Sequence, residues 1–351
     1  MNQDPEEYER TAPLQSLGST PRRRIAIILL LLAGTYLLLP RLTGATDALQ
    51  AMRQADGRYL VLAAALQIVA ILAASYLVYA AAPAFGPALR FGDVVQVSLA
   101  SQFATLFVPS AGLSGFALRA RYFGERGCPL DTTLLTYALE TLGMSVGIAT
   151  TVALALVSLT VTGRGAPWWV LGLLLGMILA GFAVLRGLLA NPREGDWRHA
   201  LLHLANRVLT RLGRLPLSMA TIQERVGQLR QAIDTLSPPL RLRLVLAGLA
   251  RAAADILCLQ MTLVAFGQAV PLHWTTIGYT LSNVLAYLSA LPGGLAVIET
   301  SLLAILARQG VPIAVAVAAT LTYRLFGFWM PRLLGLVTLW NLQRQSKRPV
   351  W

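Results

Sequence analysis

The sequence predicts an all-α integral membrane protein with about six transmembrane spans and two re-entrant helical hairpins. The first observation is the composition, because 56% of the 351 residues are hydrophobic and 13% are charged. An ordinary soluble domain is less apolar than this. The second observation is that several apolar runs approach or exceed the roughly 20 residues that span a bilayer. The third is that Pro and Gly interrupt two of these runs.

Six apolar runs are predicted to be spans, and they occupy residues 25–40, 59–82, 130–161, 167–188, 244–266 and 311–340. Two further runs, 94–118 and 275–306, contain the segments VPSAGLSG and LPGG. Proline removes a backbone donor and breaks a helix. In lipid, the freed backbone has to be buried in protein or face a wet cavity. These two runs are therefore predicted to enter and leave the membrane on the same side, as hairpins.

The positive charges predict the orientation. With a cytoplasmic N-terminus, the six-span arrangement puts 21 Arg and Lys residues inside and five outside, as the positive-inside rule expects. Both termini are then cytoplasmic, which suits the inner (plasma) membrane of a bacterium. An arrangement of eight spans also puts both termini in the cytoplasm, so the charge count does not exclude it. The net charge of +13 is explained by this bias, so no nucleic-acid partner is expected.

The two halves of the chain are predicted to form an inverted-topology repeat. Each half runs as span, span, hairpin and span, with every direction reversed in the second half, which is a plan of secondary transporters. Each half also carries a Pro break, one charge in the hairpin and the opposite charge in the next span. These residues are Pro109, Arg119 and Glu140 in the first half, and Pro292, Glu299 and Arg324 in the second.

The predicted organisation follows from this repeat. It has a cytoplasmic tail (1–24), a first membrane repeat (25–161), a second membrane repeat (162–342) with a basic cytoplasmic insert (189–243), and a cytoplasmic tail (343–351). Within the insert, apolar residues of 217–236 recur at helical spacing. This segment is either an amphipathic helix on the anionic lipids of the inner leaflet or a packed connector.

Ionisable residues at membrane depth are functional candidates, because each costs several kcal/mol unless it is paired or wet. Glu299 and Arg324 are expected to face a common polar cavity together with Asn283 and Tyr323. A buried bridge that holds the hairpin to the last span is the alternative. The hairpin tips are expected to line the same cavity, through Pro109, Gly112, Pro292, Gly293 and Gly294.

The expected ligand of this cavity is an anionic group such as a lipid phosphate. A broken helix exposes backbone N–H groups and a positive half-helix end. Arg324, and Arg119 from the cytoplasmic side, would add charge-assisted donors. Arg251 and Asp255 stand four residues apart, so a local structural pair is expected. Arg332 is expected to extend toward the membrane surface.

Two motifs in the second half resemble a known family. The segment LPGGLAVIET, followed about thirty residues later by YRLFGFWMPRLLGL, resembles the lysylphosphatidylglycerol synthase transmembrane-region family, also called flippase-like domain proteins. In that family a Pro-Gly-Gly-x-Gly-x-x-Glu segment precedes a Tyr-Arg span. Ala296 stands where the motif usually has its third glycine. The resemblance covers most of residues 23–342.

The resemblance implies the translocation or handling of a polar lipid. In the bifunctional members, the multiple peptide resistance factors, the membrane domain is thought to flip a lipid made by an attached synthase domain. No such domain and no catalytic, metal or cofactor motif is recognised in this sequence, so an enzyme is not expected. The expectation is a flippase for a lipid with an anionic headgroup or a polyprenyl-linked lipid. The alternatives are an accessory or scaffold protein for a lipid-modifying enzyme, and an ion- or solute-coupled transporter.

Overall fold

The computed structural model describes residues 45–84, 86, 88–107, 113–161, 227, 231, 233–289 and 292–345. All regular elements of these residues are helical, which confirms the all-α class. They are α1 (Ala45–Gln54), α2 (Gly57–Ala81), α3 (Phe91–Phe107), α4 (Leu113–Gly124), α5 (Leu130–Val161), α6 (Pro238–Ala265), α7 (Leu272–Ser289), α8 (Val297–Arg308), α9 (Ile313–Arg324) and α10 (Met330–Gln345). The runs 25–40 and 167–188, the break at Pro109 and Gly112, and most of the insert lie outside the described residues.

Three stretches of the described chain are long and apolar enough to cross a membrane. They are Gly57–Ala84, Thr132–Ser158 and Ile313–Leu342, with 28, 27 and 30 residues. At 1.5 Å per residue each exceeds the roughly 30 Å of a hydrocarbon core. The third stretch is continuous because a π-helical turn, Leu325–Trp329, joins α9 to α10. The total number of spans stays a prediction.

The first interrupted run folds back on itself as a helical hairpin. The Ser114 hydroxyl of α4 donates to the Ala104 carbonyl of α3 at 3.2 Å. At the other end, Val97 near the start of α3 shares a buried cluster with Phe123 near the end of α4. The helices therefore run antiparallel. With 12 residues, α4 is only about 18 Å long, which is too short to cross a bilayer on its own.

The second interrupted run has the same form. A Cβ at Gly278 of α7 would lie 3.2 Å from Leu302 of α8, and the tip residue Gly294 lies against Ala286. The first contact lies away from the tip and the second lies at the tip. Helices α7 and α8 are therefore an antiparallel pair. Like α4, α8 has 12 residues. Each half of the chain thus has one long and one short helix around a Pro and Gly break.

The packing between the two halves is reciprocal. The first-hairpin helix α3 packs on α10, and the second-hairpin helix α7 packs on α5. Helix α2 runs along α6. When α2, α3–α4 and α5 are matched in order to α6, α7–α8 and α9–α10, each of these contacts maps onto its counterpart. An internal repeat predicts this pattern, whereas the directions of the two halves in the membrane stay a prediction.

Small residues set the distance between α5 and α6. A Cβ at Gly248 of α6 would overlap the backbone carbonyl of Gly143 in α5, and a Cβ at Gly147 would lie 2.6 Å from the Gly248 carbonyl. Gly143 and Gly147 form a GxxxG pattern, which lets helix backbones approach closely in membranes. This contact fixes α6, and with it the Arg251–Asp255 segment, against the first half of the chain.

The main apolar cluster holds the second hairpin in place. Leu302 and Leu306 of α8 are 1% exposed and pack with Leu259 and Leu263 of α6, which are completely buried. Ala319 of α9 belongs to the same cluster. Helix α8 is therefore anchored on two sides, and the carboxylate in its first turn has a fixed position.

Candidate functional site

The tip of the second hairpin needs glycine. Pro292–Gly294 form a short 3₁₀ turn, and Gly293 and Gly294 have φ values of +64° and +62°. Residues with a Cβ rarely adopt this region. A Cβ at Gly293 would also overlap the Phe328 ring, and one at Gly294 would lie 2.5 Å from the Ala286 side chain. The tip is therefore packed tightly against the π-turn on one side and α7 on the other.

Ala296 has a strained backbone just before α8. Its φ is 67° and its ψ is −33°, and it is the one non-glycine residue of the described chain with a positive φ. Such a conformation costs on the order of 1–3 kcal/mol for a residue with a Cβ. This is the position where the motif usually has glycine, which adopts a positive φ without this strain.

Glu299 and Arg324 form a buried ion pair between the hairpin and the last span. Arg324 Nε donates to Glu299 Oε1 at 2.6 Å, and Arg324 Nη2 donates to the carbonyl of Gly293 at 3.1 Å. Glu299 is completely buried and Arg324 is 5% exposed. In the part of the chain that the structure describes, Glu299 Oε2 has no hydrogen-bond partner. The arginine thus binds the carboxylate in the first turn of α8 and the backbone of the hairpin tip at once.

A polar cavity of about 100 Å³ lies beside this pair. Six polar side chains from three helices line it, and space of this size holds several water molecules or one small charged group. Its lining residues are Ile148, Arg251, Asp255, Tyr279, Asn283, Ile298, Tyr323, Arg324 and Gly327. The structure therefore brings Asn283, Tyr323 and Arg324 together, and Glu299 reaches the cavity through its bond to Arg324.

Arg251 and Asp255 belong to the same cavity wall. Their pair is loose, with 3.9 Å between Arg251 Nη2 and Asp255 Oδ2. The hydroxyl of Tyr279 donates to Asp255 Oδ2 at 3.3 Å. The sequence reasoning had missed Tyr279, although it lies four residues before Asn283 and so on the same face of α7. Within the described residues, no group of three His, Cys, Asp or Glu side chains could hold a metal ion.

The first half carries a matching ion pair with the signs exchanged. Glu140 of α5 accepts two hydrogen bonds from Arg119 of α4, one from Nη1 to Oε2 and one from Nη2 to Oε1 at 3.3 Å. Both residues are 6% exposed. Arg119 Nε also donates to the Ser101 hydroxyl at 3.3 Å. Each hairpin is thus tied to the following span by one arginine–glutamate pair.

Arg332 lies beyond the π-turn, next to Phe328. Its Nη1 donates to the Phe328 carbonyl at 2.7 Å, and its guanidinium stacks on the Phe328 ring. The guanidinium of Arg324 lies over the same ring. Arg332 is therefore a neighbour of the Glu299–Arg324 pair.

The sequence profile of the family described as "Lysylphosphatidylglycerol synthase TM region" matches residues 24–335. The chain belongs to this family. A UPF0104 membrane protein of Methanothermobacter thermautotrophicus is 27% identical over 151 residues, which is 40% of this chain and 45% of that protein. The family match and the apolar helices identify the chain as a membrane protein.

Proposed function

We propose that the chain is a flippase that moves a lipid with an anionic headgroup, or a polyprenyl-linked lipid, between the two leaflets. The observation that carries this proposal is the cavity beside the Glu299–Arg324 pair, at the tip of a broken helix. A scaffold has no need of charged groups around an internal cavity, since each costs free energy there. A protein that takes a charged headgroup through the membrane does need them.

The charges of the site favour an exchange of partners. Arg251 and Arg324 balance Asp255 and Glu299, so the site has no net charge when all four are ionised. A phosphate would therefore compete with Glu299 for Arg324. Arg324 has two states in this mechanism, one closed on Glu299 and one bound to the headgroup. A lipid shifts the balance only through its stronger binding to the second state.

The repeat supplies the second half of the mechanism. Arg119–Glu140 ties the first hairpin to α5 as Glu299–Arg324 ties the second hairpin to α9. If the halves are inverted in the membrane, the hairpins enter from opposite faces, and opening of one or the other gives alternating access. The re-entrant hairpins and the six spans are part of this proposal, as are the inner-membrane location and the cytoplasmic termini.

A translocation assay tests the proposal. The protein is reconstituted into phosphatidylcholine vesicles that contain fluorescent NBD-phosphatidylglycerol, and dithionite is added outside to destroy the accessible label. We expect the wild-type protein to expose inner-leaflet label, and Arg324→Gln and Glu299→Gln to abolish this movement. Arg308→Gln is the matched control, because Arg308 is an exposed cation at the other end of α8.

Two outcomes contradict the proposal. Wild-type protein that is folded but moves no more label than empty vesicles would favour the scaffold alternative. Restored movement in the exchanged variant, Glu299→Arg with Arg324→Glu, would mark the pair as a structural bridge, since the exchange keeps the pair but reverses the charge at each position.

A further inference from the structure

Arg332 stands in line with Arg324 along the last helix. Arg324, Phe328 and Arg332 are spaced by four residues, so they follow one face of the helix through the π-turn. The guanidinium carbons of Arg324 and Arg332 lie 4.2 Å and 3.5 Å from the centroid of the Phe328 ring. Two cations therefore share one aromatic ring, and eight residues correspond to about 12 Å along a helix axis.

Arg332 differs from the other interior arginines of the described residues in having no counter-ion among them. Arg119, Arg251 and Arg324 each lie within 4 Å of a carboxylate. In the part of the chain that the structure describes, Arg332 has no such partner, and its Nε is buried without a hydrogen bond. Its Nη1 bonds to the Phe328 carbonyl, which satisfies one of five N–H groups. An unpaired cation in a membrane interior costs several kcal/mol unless an anion or water reaches it.

The surface around Arg332 is apolar and exposed. Leu325 and Leu333, on either side of it along the helix, are 45% and 56% exposed, and Leu336 is 47% exposed. Arg332 itself is half-buried. It therefore lies between an apolar outer surface and the buried Arg324. A lipid with its tails against these leucines would bring its headgroup to this position.

We propose that Arg332 is a phosphate-binding position, at which the guanidinium holds the phosphate of an anionic phospholipid at the lipid-facing edge of the last span. The planar guanidinium matches two phosphate oxygens, and the Phe328 ring fixes its plane. During translocation the headgroup would then bind Arg332 either before or after it binds Arg324. This assignment deepens the proposed function and rests on it for the path, whereas the binding itself can be measured without any transport.

Lipid binding to the purified protein tests the assignment. Native mass spectrometry in detergent measures the affinity for phosphatidylglycerol, for phosphatidylcholine and for inorganic phosphate, in the wild-type protein and in Arg332→Met. Methionine keeps much of the side-chain volume and removes the charge. The matched control is Arg344→Met, because Arg344 is an exposed arginine on the same helix that also stacks on an aromatic ring, that of Trp340.

We expect Arg332→Met to weaken phosphatidylglycerol binding about tenfold or more, which corresponds to about 1.4 kcal/mol or more. Phosphatidylcholine binding and the Arg344→Met variant should be nearly unchanged. Unchanged phosphatidylglycerol binding in Arg332→Met would overturn the assignment. If inorganic phosphate competes as strongly as phosphatidylglycerol, the ligand is free phosphate and the assignment to a lipid is wrong.

Thermal unfolding separates a binding role from a structural one. An unpaired, half-buried cation has a desolvation cost that an apolar residue of similar volume does not have. Arg332→Met should therefore melt at or above the wild-type temperature without lipid, but gain less from added phosphatidylglycerol. A lower melting temperature without lipid, with an unchanged gain on adding it, would mark Arg332 as structural. If phosphatidylglycerol binding depends on Arg332 but translocation is absent, the proposed function fails while this assignment stands.

Discussion

Removal of Arg324 should destabilise the protein strongly, because it would leave a buried carboxylate alone. Glu299 is completely buried, and its Oε2 has no hydrogen-bond partner among the described residues. In Arg324→Gln the ion pair of Oε1 with Arg324 is lost as well. Breaking a buried pair by removing one partner costs about 3–5 kcal/mol. For a chain of 351 residues, with an unfolding entropy of about 2.1 cal/mol/K per residue, we expect a fall in melting temperature of roughly 4–7 °C.

The assay is thermal unfolding in detergent with a set of matched variants. The double variant Glu299→Gln with Arg324→Gln removes both charges and keeps both shapes, so it should recover most of the lost stability. Arg121→Gln is the control, because it breaks the partly exposed Arg121–Glu125 pair, and such pairs contribute about 0–1 kcal/mol. An Arg324→Gln variant that melts at the same temperature as the wild type would refute the reasoning, since the ion pair would then contribute nothing to stability.

Three further predictions concern the backbone and the topology. Ala296→Gly should stabilise the protein by about 1 kcal/mol, measured by thermal unfolding, because glycine adopts the positive φ without strain; no gain would contradict a strained backbone. Gly248→Leu should prevent the close approach of α6 to α5 and lower the melting temperature by more than a surface replacement does. In variants with one added cysteine, labels at Ser110 should react from the cytoplasm and labels at Ala290 from outside, and labelling from the opposite faces would contradict the inverted repeat. The native Cys128 adds little background, because burial raises the pKa of its thiol and leaves less of the reactive thiolate.

The fold class and the break in the second hairpin could be predicted from the sequence because they rest on local patterns. The run 130–161 coincides with α5, and the prediction of a break at LPGG agrees with the turn Pro292–Gly294. Apolar length and a Pro-Gly-Gly break depend on neighbours in the chain, so periodicity and turn chemistry are enough to find them.

The composition of the cavity could be predicted only in part. Glu299 and Arg324 stood out because charges are rare at membrane depth. Arg251 and Asp255 are expected to form a local pair, but Asp255 also binds Tyr279 of α7, and both residues line the cavity, because α6 packs against α7 as well as against α5. That contact depends on the packing of distant helices, which one sequence does not contain. The π-turn after Arg324 gives no signal either, because LFGFW is an ordinary apolar segment.

The identity of the lipid bound to the gently purified protein tests the central claim most directly. Native mass spectrometry compares the wild type with the double variant Glu299→Gln and Arg324→Gln, which is expected to stay folded. The account predicts that one class of anionic or polyprenyl-linked lipid is enriched over the bulk membrane in the wild type and lost in the variant. Bound lipid that matches the bulk membrane in both proteins would contradict it.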